Sequence, residues 1–262
     1  MNISLAQKKA IVCGSSQGIG KATAMALAQL GAEVTLIARN PARIQTVLEL
    51  LDTSQGQQHR YILADFSKPD QLQQKLNQYL ATFPQCHILV NNSGGPAPSG
   101  LLEAELEDFR NGFEQHLICS QMLVQAFAPM MKQAGYGRII NIISTSVKEP
   151  LANLGVSGTI RWAVAGWAKA LANELGPDNI TVNNVLPGFT ATERLTELFE
   201  NNSRRTGKSV EVLQEEAKQQ IPLRRFAQPE EIAQAIAFLA TPAAAYINGT
   251  NLVVDGGRTK SL

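Results

Sequence analysis

Three glycines follow an apolar stretch near the start of the chain, in a spacing suited to holding the phosphates of a nucleotide. Residues 10–20 read Ala-Ile-Val-Cys-Gly-Ser-Ser-Gln-Gly-Ile-Gly. Glycine lets the backbone turn tightly and approach a ligand, and the N-terminus of a following helix offers free N–H groups and partial positive charge. Ser15 and Ser16 either add hydroxyl donors to the phosphates or serve the turn itself.

Residues at the end of the second predicted strand, Glu33–Ala38, indicate which of the two nicotinamide dinucleotides, NAD or NADP, a chain of this kind binds. NAD binding favours a carboxylate there, which accepts from the ribose hydroxyls, whereas NADP binding favours an arginine for the 2′-phosphate. This chain has Ala38-Arg39-Asn40 and no acid. We therefore predict NADP(H) in preference to NAD(H), with Arg39 as the phosphate ligand. The alternative is that Arg39 is an ordinary solvated surface residue.

Short apolar segments rich in β-forming residues alternate with helical patterns from end to end. They lack polar alternation, as parallel strands buried on both faces should. Asn40-Pro41 marks the start of one intervening helix, and Gln228-Pro229 marks another. Such alternation with long connections predicts an α/β fold with a parallel sheet and helices on both faces. The predicted strands are Lys9–Cys13, Glu33–Ala38, Arg60–Leu63, His87–Asn91, Arg138–Ile143, Ile180–Leu186 and Asn251–Val254.

The alternation is interrupted once, at residues 188–227. No linker or repeat divides the chain, so we predict a single domain over residues 1–262. The interrupting segment is polar and lies between the sixth strand and the helix that begins at Gln228. Ligands of a doubly wound sheet bind at the carboxyl ends of its strands, so the segment is predicted to be a substrate lid. The alternative is a variable surface excursion.

Composition narrows the classes of function. The 44% hydrophobic content supports a sizeable core, and 17% charged residues is too low for a disordered chain. The net charge of +1 gives no field that favours nucleic acid or an anionic membrane, and no apolar run is long enough to span a bilayer. Three scattered cysteines predict a reduced, cytoplasmic protein, and the three histidines show no metal-ligand spacing.

Four further signals stand directly after predicted strands, where a cofactor crevice would lie. They are Asp65, Asn91-Asn92-Ser93-Gly94, Ser144 and Pro187-Gly188. Together with the glycine turn and the tail at residues 248–257, they resemble the short-chain dehydrogenase/reductase family, in particular its 3-oxoacyl-acyl-carrier-protein reductase branch. The resemblance covers essentially the whole chain. It implies a Rossmann-type, doubly wound sheet of seven parallel strands in a homotetramer or homodimer.

The resemblance also implies where a dinucleotide lies. The glycine turn carries the pyrophosphate, Asp65 and Phe66 contact the adenine, and residues near Pro187 lie beside the nicotinamide. The expected cofactor-binding residues are Gly14, Ser15, Ser16, Gln17, Gly18, Ile19, Gly20, Arg39, Asn40, Asp65, Phe66, Asn91, Ser93, Gly94, Arg161, Pro187, Gly188 and Thr190.

The chain departs from the family at the catalytic residues. The family uses an Asn, a Ser, a Tyr and a Lys, and only the serine is retained here, as Ser144. His116 stands at the asparagine position, Ser157 at the tyrosine position and Arg161 at the lysine position. None of the four tyrosines has a lysine four residues later, so no shift of register restores the pair.

The replacements suggest an altered chemistry. Ser157 and Arg161 are four residues apart, so they share one helix face. Arg161 is expected either to hold the ribose hydroxyls or to clamp a substrate carboxylate, but a guanidinium does not shuttle protons. Ser157 keeps a hydroxyl but is a poor general acid by itself. An unperturbed histidine has a pKa near ~6.5, which suits His116 for proton transfer, although His116 is alternatively a space-filling helix residue.

Three functions compete at this point. The first is an NADP(H)-dependent oxidoreductase that transfers hydride between nicotinamide and a carbonyl or alcohol substrate, with an atypical proton donor. The second is a non-catalytic NADP(H)-binding sensor or partner subunit, as the loss of three family identities suggests. The third is a different reaction on the same scaffold, with Arg161 binding an acid group. The complete set of cofactor signals and the predicted lid favour the first.

Overall fold

Seven parallel strands form one sheet in the computed structural model, which describes residues 1–96 and 98–261. The strands are β1 (Lys9–Cys13), β2 (Glu33–Ala38), β3 (Arg60–Leu63), β4 (Ile88–Asn91), β5 (Gly137–Ile142), β6 (Ile180–Pro187) and β7 (Asn251–Val254). Their order is β3-β2-β1-β4-β5-β6-β7. The predicted α/β sheet of seven parallel strands is confirmed, and the predicted strand ends differ from the observed ones by one residue at most.

The order of the strands reverses at β1, and this places the crevice. β1 pairs with β2 on one side and with β4 on the other. Connections from these strands leave the sheet toward opposite faces, so a cleft opens at their carboxyl ends. The glycine turn follows β1 directly, and the Asn91-Asn92 pair follows at the end of β4. The sheet topology therefore brings together two signals that are about eighty residues apart in sequence.

Helices cover both faces of the sheet. They are α1 (Gly18–Gln29), α2 (Pro41–Glu49), α3 (Pro69–Thr82), α4 (Leu106–Phe113), α5 (Cys119–Ala134), α6 (Gly155–Leu175), α7 (Glu193–Thr206), α8 (Val210–Gln219) and α9 (Pro229–Ala240). α1 and α9 pack on one face, where Leu27 and Ile236 are fully buried. α3, α5 and α6 pack on the other, around Leu76 and Phe127.

The predicted helix starts follow from their caps. Asn40 precedes α2, and its side-chain oxygen accepts a hydrogen bond of 3.0 Å from the backbone N–H of Arg43. Gln228 and Glu231 cap α9 reciprocally. Each of these bonds satisfies an amide that would otherwise lack a partner in the first helical turn. α1 differs because Gln17 provides no side-chain cap, which leaves its first amides for another acceptor.

Most of the interrupting segment 188–227 is helical. Thr192 caps α7 and Ser209 caps α8, and Gly207 ends α7 in a left-handed conformation with φ +74°. The ring of Phe199 on α7 packs against the rings of Phe189 and Phe226, which flank the pair of helices in sequence, with centroids 5.6 to 6.1 Å apart. The polar composition of this segment therefore reflects two amphipathic helices with one apolar side each.

The cysteines pack in the interior as small apolar residues. Cys13, Cys86 and Cys119 are buried free thiols. Burial raises the pKa of Cys119 to about 12 and raises the pKa values of the other two further, so all three stay protonated. Within residues 1–96 and 98–261, no helix is both long enough and apolar enough to cross a membrane.

Candidate active site

Backbone geometry explains the glycines after β1. Gly14 and Gly18 have φ values of +57° and +53°, a region that favours glycine. A Cβ on Gly14 would lie 2.8 Å from the carbonyl oxygen of Asn92, and a Cβ on Gly20 would collide with the carbonyl oxygen of Gly14. The turn is therefore packed tightly against the end of β4, beside the uncapped first turn of α1. This cradle suits a pyrophosphate.

The polar residues near the glycine turn differ in whether their side chains are bonded within the turn. Ser15 is fully buried, and its hydroxyl donates to the carbonyl of Ile37 at 3.3 Å, so its proton serves the turn and not a phosphate. Ser16 is half-buried. Asn92 donates from Nδ2 to the carbonyl of Gly14 at 3.3 Å. This supporting role of Asn92 was not predicted from the sequence, although the Asn91-Asn92 doublet at the end of β4 was a signal for it.

Two arginines follow closely after β2, where the sequence predicts the 2′-phosphate to bind. Arg39 is exposed at the end of β2, while the side chain of Asn40 is engaged in capping α2. Arg43, on α2, donates from Nη1 to the side-chain oxygen of Gln17 and to Glu193 at 2.9 Å. Arg43 was not predicted from the sequence as a site residue. Its signal was position, because the third residue of a helix capped at Asn40 points back toward the glycine turn.

The predicted adenine site lies after β3. Asp65 accepts a hydrogen bond of 3.0 Å from the backbone N–H of Ser67. Partial burial works to raise the pKa of Asp65, but hydrogen bonds from Ser67 and the charges of Arg39 and Lys68 outweigh it, so the pKa lies below its usual value. Phe66 is half-buried next to it. Asp65 is therefore a fixed anionic acceptor close to the arginine of β2.

A cavity of about 250 Å³ extends from the carboxyl end of β5 toward α7. Ser144, Ser157 and Arg161 all line it. Ser144 follows β5 and accepts from the backbone N–H of Ser146 at 3.1 Å, which fixes its hydroxyl oxygen. Ser157 and Arg161 are one turn apart on α6. The three residues mapped onto the family's serine, tyrosine and lysine positions thus meet at one surface.

Arg161 is held at the base of this cavity. Its Nη1 donates to the carbonyl of Ile142 at 2.8 Å, and its buried Nε has no partner among the described residues. Burial, and then the charge of Arg194, lower the pKa of Arg161 to about 10. The guanidinium therefore remains charged at neutral pH and acts as a fixed positive charge.

His116 is removed from the main cavity. It lies in a π-helical turn, Glu114–Ile118, between α4 and α5, and the hydroxyl of Ser120 donates to its carbonyl at 2.7 Å. Such turns often occur at functional sites. His116 lines a smaller cavity of about 10 Å³ together with Ser93 and Arg161. Its Nδ1 lies 2.7 Å from Ser93 Oγ.

The expectation that His116 titrates near neutral pH is wrong. His116 is only 5% exposed. Burial, followed by the charges of Arg161 and Arg194, lowers the pKa of His116 well below its ordinary value. The imidazole is therefore neutral throughout the physiological range, and it can pass a proton only by taking one up as it gives one away.

Asn91 belongs to a ladder of amides that crosses the sheet. Its Nδ2 donates to Asn141 at 2.9 Å, Asn141 donates to Asn184 at 2.8 Å, and Asn184 donates to Asn251 at 2.8 Å. The four residues occupy paired register positions on β4, β5, β6 and β7. Asn91 is 4% exposed and lines only the small cavity. The Asn91 side chain is therefore engaged within the sheet, where it supports the carboxyl end of β4.

The end of β6 completes the cleft. Pro187, Gly188 and Thr190 line the main cavity, together with Ile19 of the glycine turn and Ser93; Gly94 is exposed beside them. A Cβ on Gly188 would lie 2.6 Å from Cβ of Asp255, so a side chain does not fit there. α7 begins over the glycine turn, since Cγ2 of Thr192 lies 3.2 Å from where a Cβ on Gly18 would be. The predicted lid therefore borders both the cofactor cleft and the substrate cavity.

Comparisons with known sequences agree with this geometry. A family model described as Enoyl-(Acyl carrier protein) reductase matches residues 14–259. The NADPH-dependent reductase BacG of Bacillus subtilis is 33% identical over 261 residues, which cover 98% of this chain and 100% of BacG. A 3-oxoacyl-acyl-carrier-protein reductase of Synechocystis is 36% identical over 258 residues, which cover 97% of each chain.

Solved structures are similar over the same length. YwfH, an NADPH-dependent reductase involved in bacilysin biosynthesis, has a TM-score of 0.92 at 32% identity, covering 98% of this chain and 100% of YwfH. The L-sorbose reductase of Gluconobacter frateurii, solved with NADPH and L-sorbose, has a TM-score of 0.92 at 29% identity and full coverage of both chains. The resemblance inferred from the sequence motifs is confirmed.

Proposed function

Because the chain belongs to the short-chain dehydrogenase/reductase family, we propose that it reduces a small carbonyl substrate with NADPH, using an altered set of catalytic residues. The observation that carries this proposal is the meeting of Ser144, Ser157 and Arg161 in one cavity beside the cofactor cleft. Two hydroxyls and a fixed positive charge suit an oxygen that becomes negative during the reaction.

The chain's residues fit a bound dinucleotide. The glycine turn and Gly188 form surfaces that a Cβ would fill, and two cations, Arg39 and Arg43, come directly after β2 in the chain. The prediction of NADP(H) over NAD(H) is confirmed, since BacG and YwfH are both NADPH-dependent and the sorbose reductase was solved with NADPH. When bound, NADPH supplies the hydride.

In this proposal the chain positions and polarises the carbonyl. The hydroxyls of Ser144 and Ser157 donate to the substrate oxygen, and Arg161 stabilises the negative charge that develops there. Loss of one such group typically lowers kcat by about 100- to 1,000-fold. Arg161 is proposed to act by charge alone, because its pKa of about 10 keeps the guanidinium protonated.

The proton for the product alcohol needs a route other than a tyrosine. Ser93 lines the main cavity and its hydroxyl touches His116. In the proposed route, Ser93 passes its proton to the product oxygen while Nδ1 of the neutral His116 returns one to Ser93. Nε2 of His116, which has no partner among the described residues, takes up a proton at the same time from a water molecule in the small cavity, so the imidazole stays neutral. A neutral imidazole suits this role because its two nitrogens can exchange donor and acceptor character. His116 is then a positioning and relay residue and does not touch the substrate.

The alternative of a non-catalytic NADP(H)-binding protein is not favoured, because BacG, YwfH and the sorbose reductase are all named as reductases.

We also propose that copies of this chain associate as a dimer or tetramer. Its support is a set of exposed apolar side chains on α4, the π-helical turn and α6: Leu106, Phe113, Ile118 and Trp162, which are 42 to 70% exposed. Light scattering of the purified protein tests the association.

The reductase proposal is tested by absorbance at about 340 nm, where reduced nicotinamide absorbs. Purified protein with NADPH and a panel of aldehydes, ketones and oxo-acids should show substrate-dependent oxidation. Arg161→Met should reduce it sharply, while Arg161→Lys should retain part of it because the charge is kept. A flat trace with every substrate, from protein that binds NADPH, would contradict the proposal.

A further inference from the structure

The charged side chains that line the substrate cavity are all positive within the described part of the chain. Among the described residues that line it, the ionisable side chains are Arg161, Arg194 and Arg258, and no aspartate or glutamate is present. Arg194 comes from the first turn of α7, whereas the other two come from α6 and from the segment after β7. A cavity with three guanidinium groups and no carboxylate has a positive potential that favours an anionic ligand.

One of the three arginines lies near a carboxylate of the protein. Arg258 lies 3.9 Å from the carboxylate of Glu149 and stacks over the ring of Phe189, with 5.0 Å to its centroid. Arg161 and Arg194 form no ion pair within residues 1–96 and 98–261. Each donates to a backbone carbonyl, Arg161 to that of Ile142 and Arg194 to that of Pro96 at 2.9 Å. Among the described residues, Nη2 of Arg161 and Nη1 of Arg194 form no hydrogen bond, so both guanidinium groups keep N–H donors for a ligand.

The two unpaired guanidinium groups converge on one place. Nη2 of Arg194 and Nη2 of Arg161 lie 3.0 and 3.6 Å from the point where a Cβ on Gly95 would be. Two positive charges this close to one point repel each other. A ligand carboxylate that accepts hydrogen bonds from both guanidinium groups removes that repulsion. Guanidinium groups match carboxylates in planar, two-bond geometry, which lysine does not offer.

The other residues that line the substrate cavity indicate the polarity of the rest of the ligand. It is mainly apolar, and the side chains concerned are Leu151, Leu154, Phe189, Leu195 and Leu198. Leu195 and Leu198 follow Arg194 on α7, so the lid supplies both the charge and part of the apolar wall. A ligand with an acid group at one end and a hydrocarbon body matches this division.

We propose that the substrate is an oxo-acid with an apolar side chain, whose carboxylate is held between Arg161 and Arg194 while its carbonyl lies against Ser144 and Ser157. This inference rests on the proposed function. It makes Arg194 a specificity-determining residue, contributed by the lid and absent from the set of residues mapped from the family. Ser157 and Arg161 are one helical turn apart, so the carbonyl and the carboxylate are separated by few bonds.

The test compares acids with neutral analogues of the same shape. NADPH oxidation is followed with 2-oxo-, 3-oxo- and 4-oxohexanoate and with the methyl ester of each. At least one acid should exceed its ester by about 10-fold or more in kcat/KM, the range expected for hydrogen bonds to a charged group. Arg194→Gln should abolish that preference and Arg194→Lys should keep part of it. Arg204→Gln removes a charge from the solvent side of the same helix and should change nothing.

The remaining outcomes separate the inference from the proposed function. Esters reduced as well as acids would overturn it and leave the reductase proposal standing. If Arg194→Gln weakens NADPH binding and keeps the acid preference, Arg194 serves the cofactor. If no carbonyl compound is reduced, calorimetry of 2-hydroxyhexanoate and its ester with NADP-loaded protein decides the point separately. Binding of the acid that is lost in Arg194→Gln supports the anion site, and equal binding of acid and ester overturns it.

Discussion

The ion pair between Arg43 and Glu193 predicts opposite effects of two mutations on NADPH binding. Arg43 is shared between Gln17 on the glycine turn and Glu193 at the first turn of α7, with 2.9 Å to the carboxylate. If Arg43 is a ligand of the 2′-phosphate, Glu193 competes with that phosphate for the same guanidinium. Arg43→Ala then weakens NADPH binding, and Glu193→Gln strengthens it.

The expected changes in NADPH affinity follow from the solvent exposure of the Arg43 and Glu193 side chains. The side chains of Arg43 and Glu193 are 48% and 58% exposed, so their ion pair contributes about 0.2 to 1 kcal/mol. Removing the competitor should therefore tighten NADPH binding by about 1.4- to 5-fold. A hydrogen bond to a charged group contributes about 1.5 kcal/mol at the lower end of its range, which corresponds to a loss of about 10-fold for Arg43→Ala.

The assay is a fluorescence titration with NADPH and, in parallel, with NADH. Neither variant should change NADH affinity by more than about twofold, because NADH lacks the 2′-phosphate. The effect of Glu193→Gln should shrink in high salt, as expected for exposed charges. Glu197→Gln, one turn further along α7, is the matched control for loss of a negative charge. If Glu193→Gln weakens NADPH binding, the ion pair orders the site and the competition argument is refuted.

Three further predictions concern other parts of the molecule. Arg39→Ala should lower the NADPH-over-NADH preference in kcat/KM, and an unchanged preference would remove Arg39 from the phosphate site. Asn141→Ala removes the acceptor of the buried Asn91 Nδ2 and the donor to the buried Asn184 Oδ1, and it should lower the free energy of unfolding in urea by about 2 to 4 kcal/mol. Asn251→Ala, at the exposed end of the ladder, should lower it by less than half as much. The lowered pKa of His116 means that the unfolded chain binds more protons below pH ~6.5, so the free energy of unfolding should fall as pH decreases from there, and less so in His116→Gln. In the native enzyme kcat should show no inflection near pH ~6.5, and a clear inflection that disappears in His116→Gln would show that His116 titrates.

Local sequence signals determined the framework. The seven strands, the glycine turn, the capped starts of α2 and α9 and the site of the insertion were all predicted from the chain. Each depends on residues close together in sequence, such as an apolar run, a positive-φ glycine or an Asn-Pro cap. The residues after β3, β4, β5 and β6 were placed at one edge for the same reason, because parallel strands share their carboxyl ends.

Other features required the register of the sheet. The amide ladder joins four asparagines on four strands, and only the alignment of Asn91 with Asn141 and of Asn184 with Asn251 makes it continuous. Asn91 was predicted to line the cofactor because it stands at the carboxyl end of β4 in the motif that resembles the family's. A shift of one residue between any two strands would turn an asparagine to the other face of the sheet, so no local pattern indicates the ladder.

The chain by itself determined the fold, the nicotinamide cofactor and the loss of the family's tyrosine and lysine. Only the tertiary structure decided which charges act together. Arg43 meets Glu193 across 150 residues of sequence, and Arg194 converges with Arg161 on Gly95 because α7 folds back over the cleft. It also decided the state of His116, whose side chain is neutral because it is buried beside two arginines. Charge interactions depend on distance and burial in space, and neither quantity can be read from the order of residues along a chain.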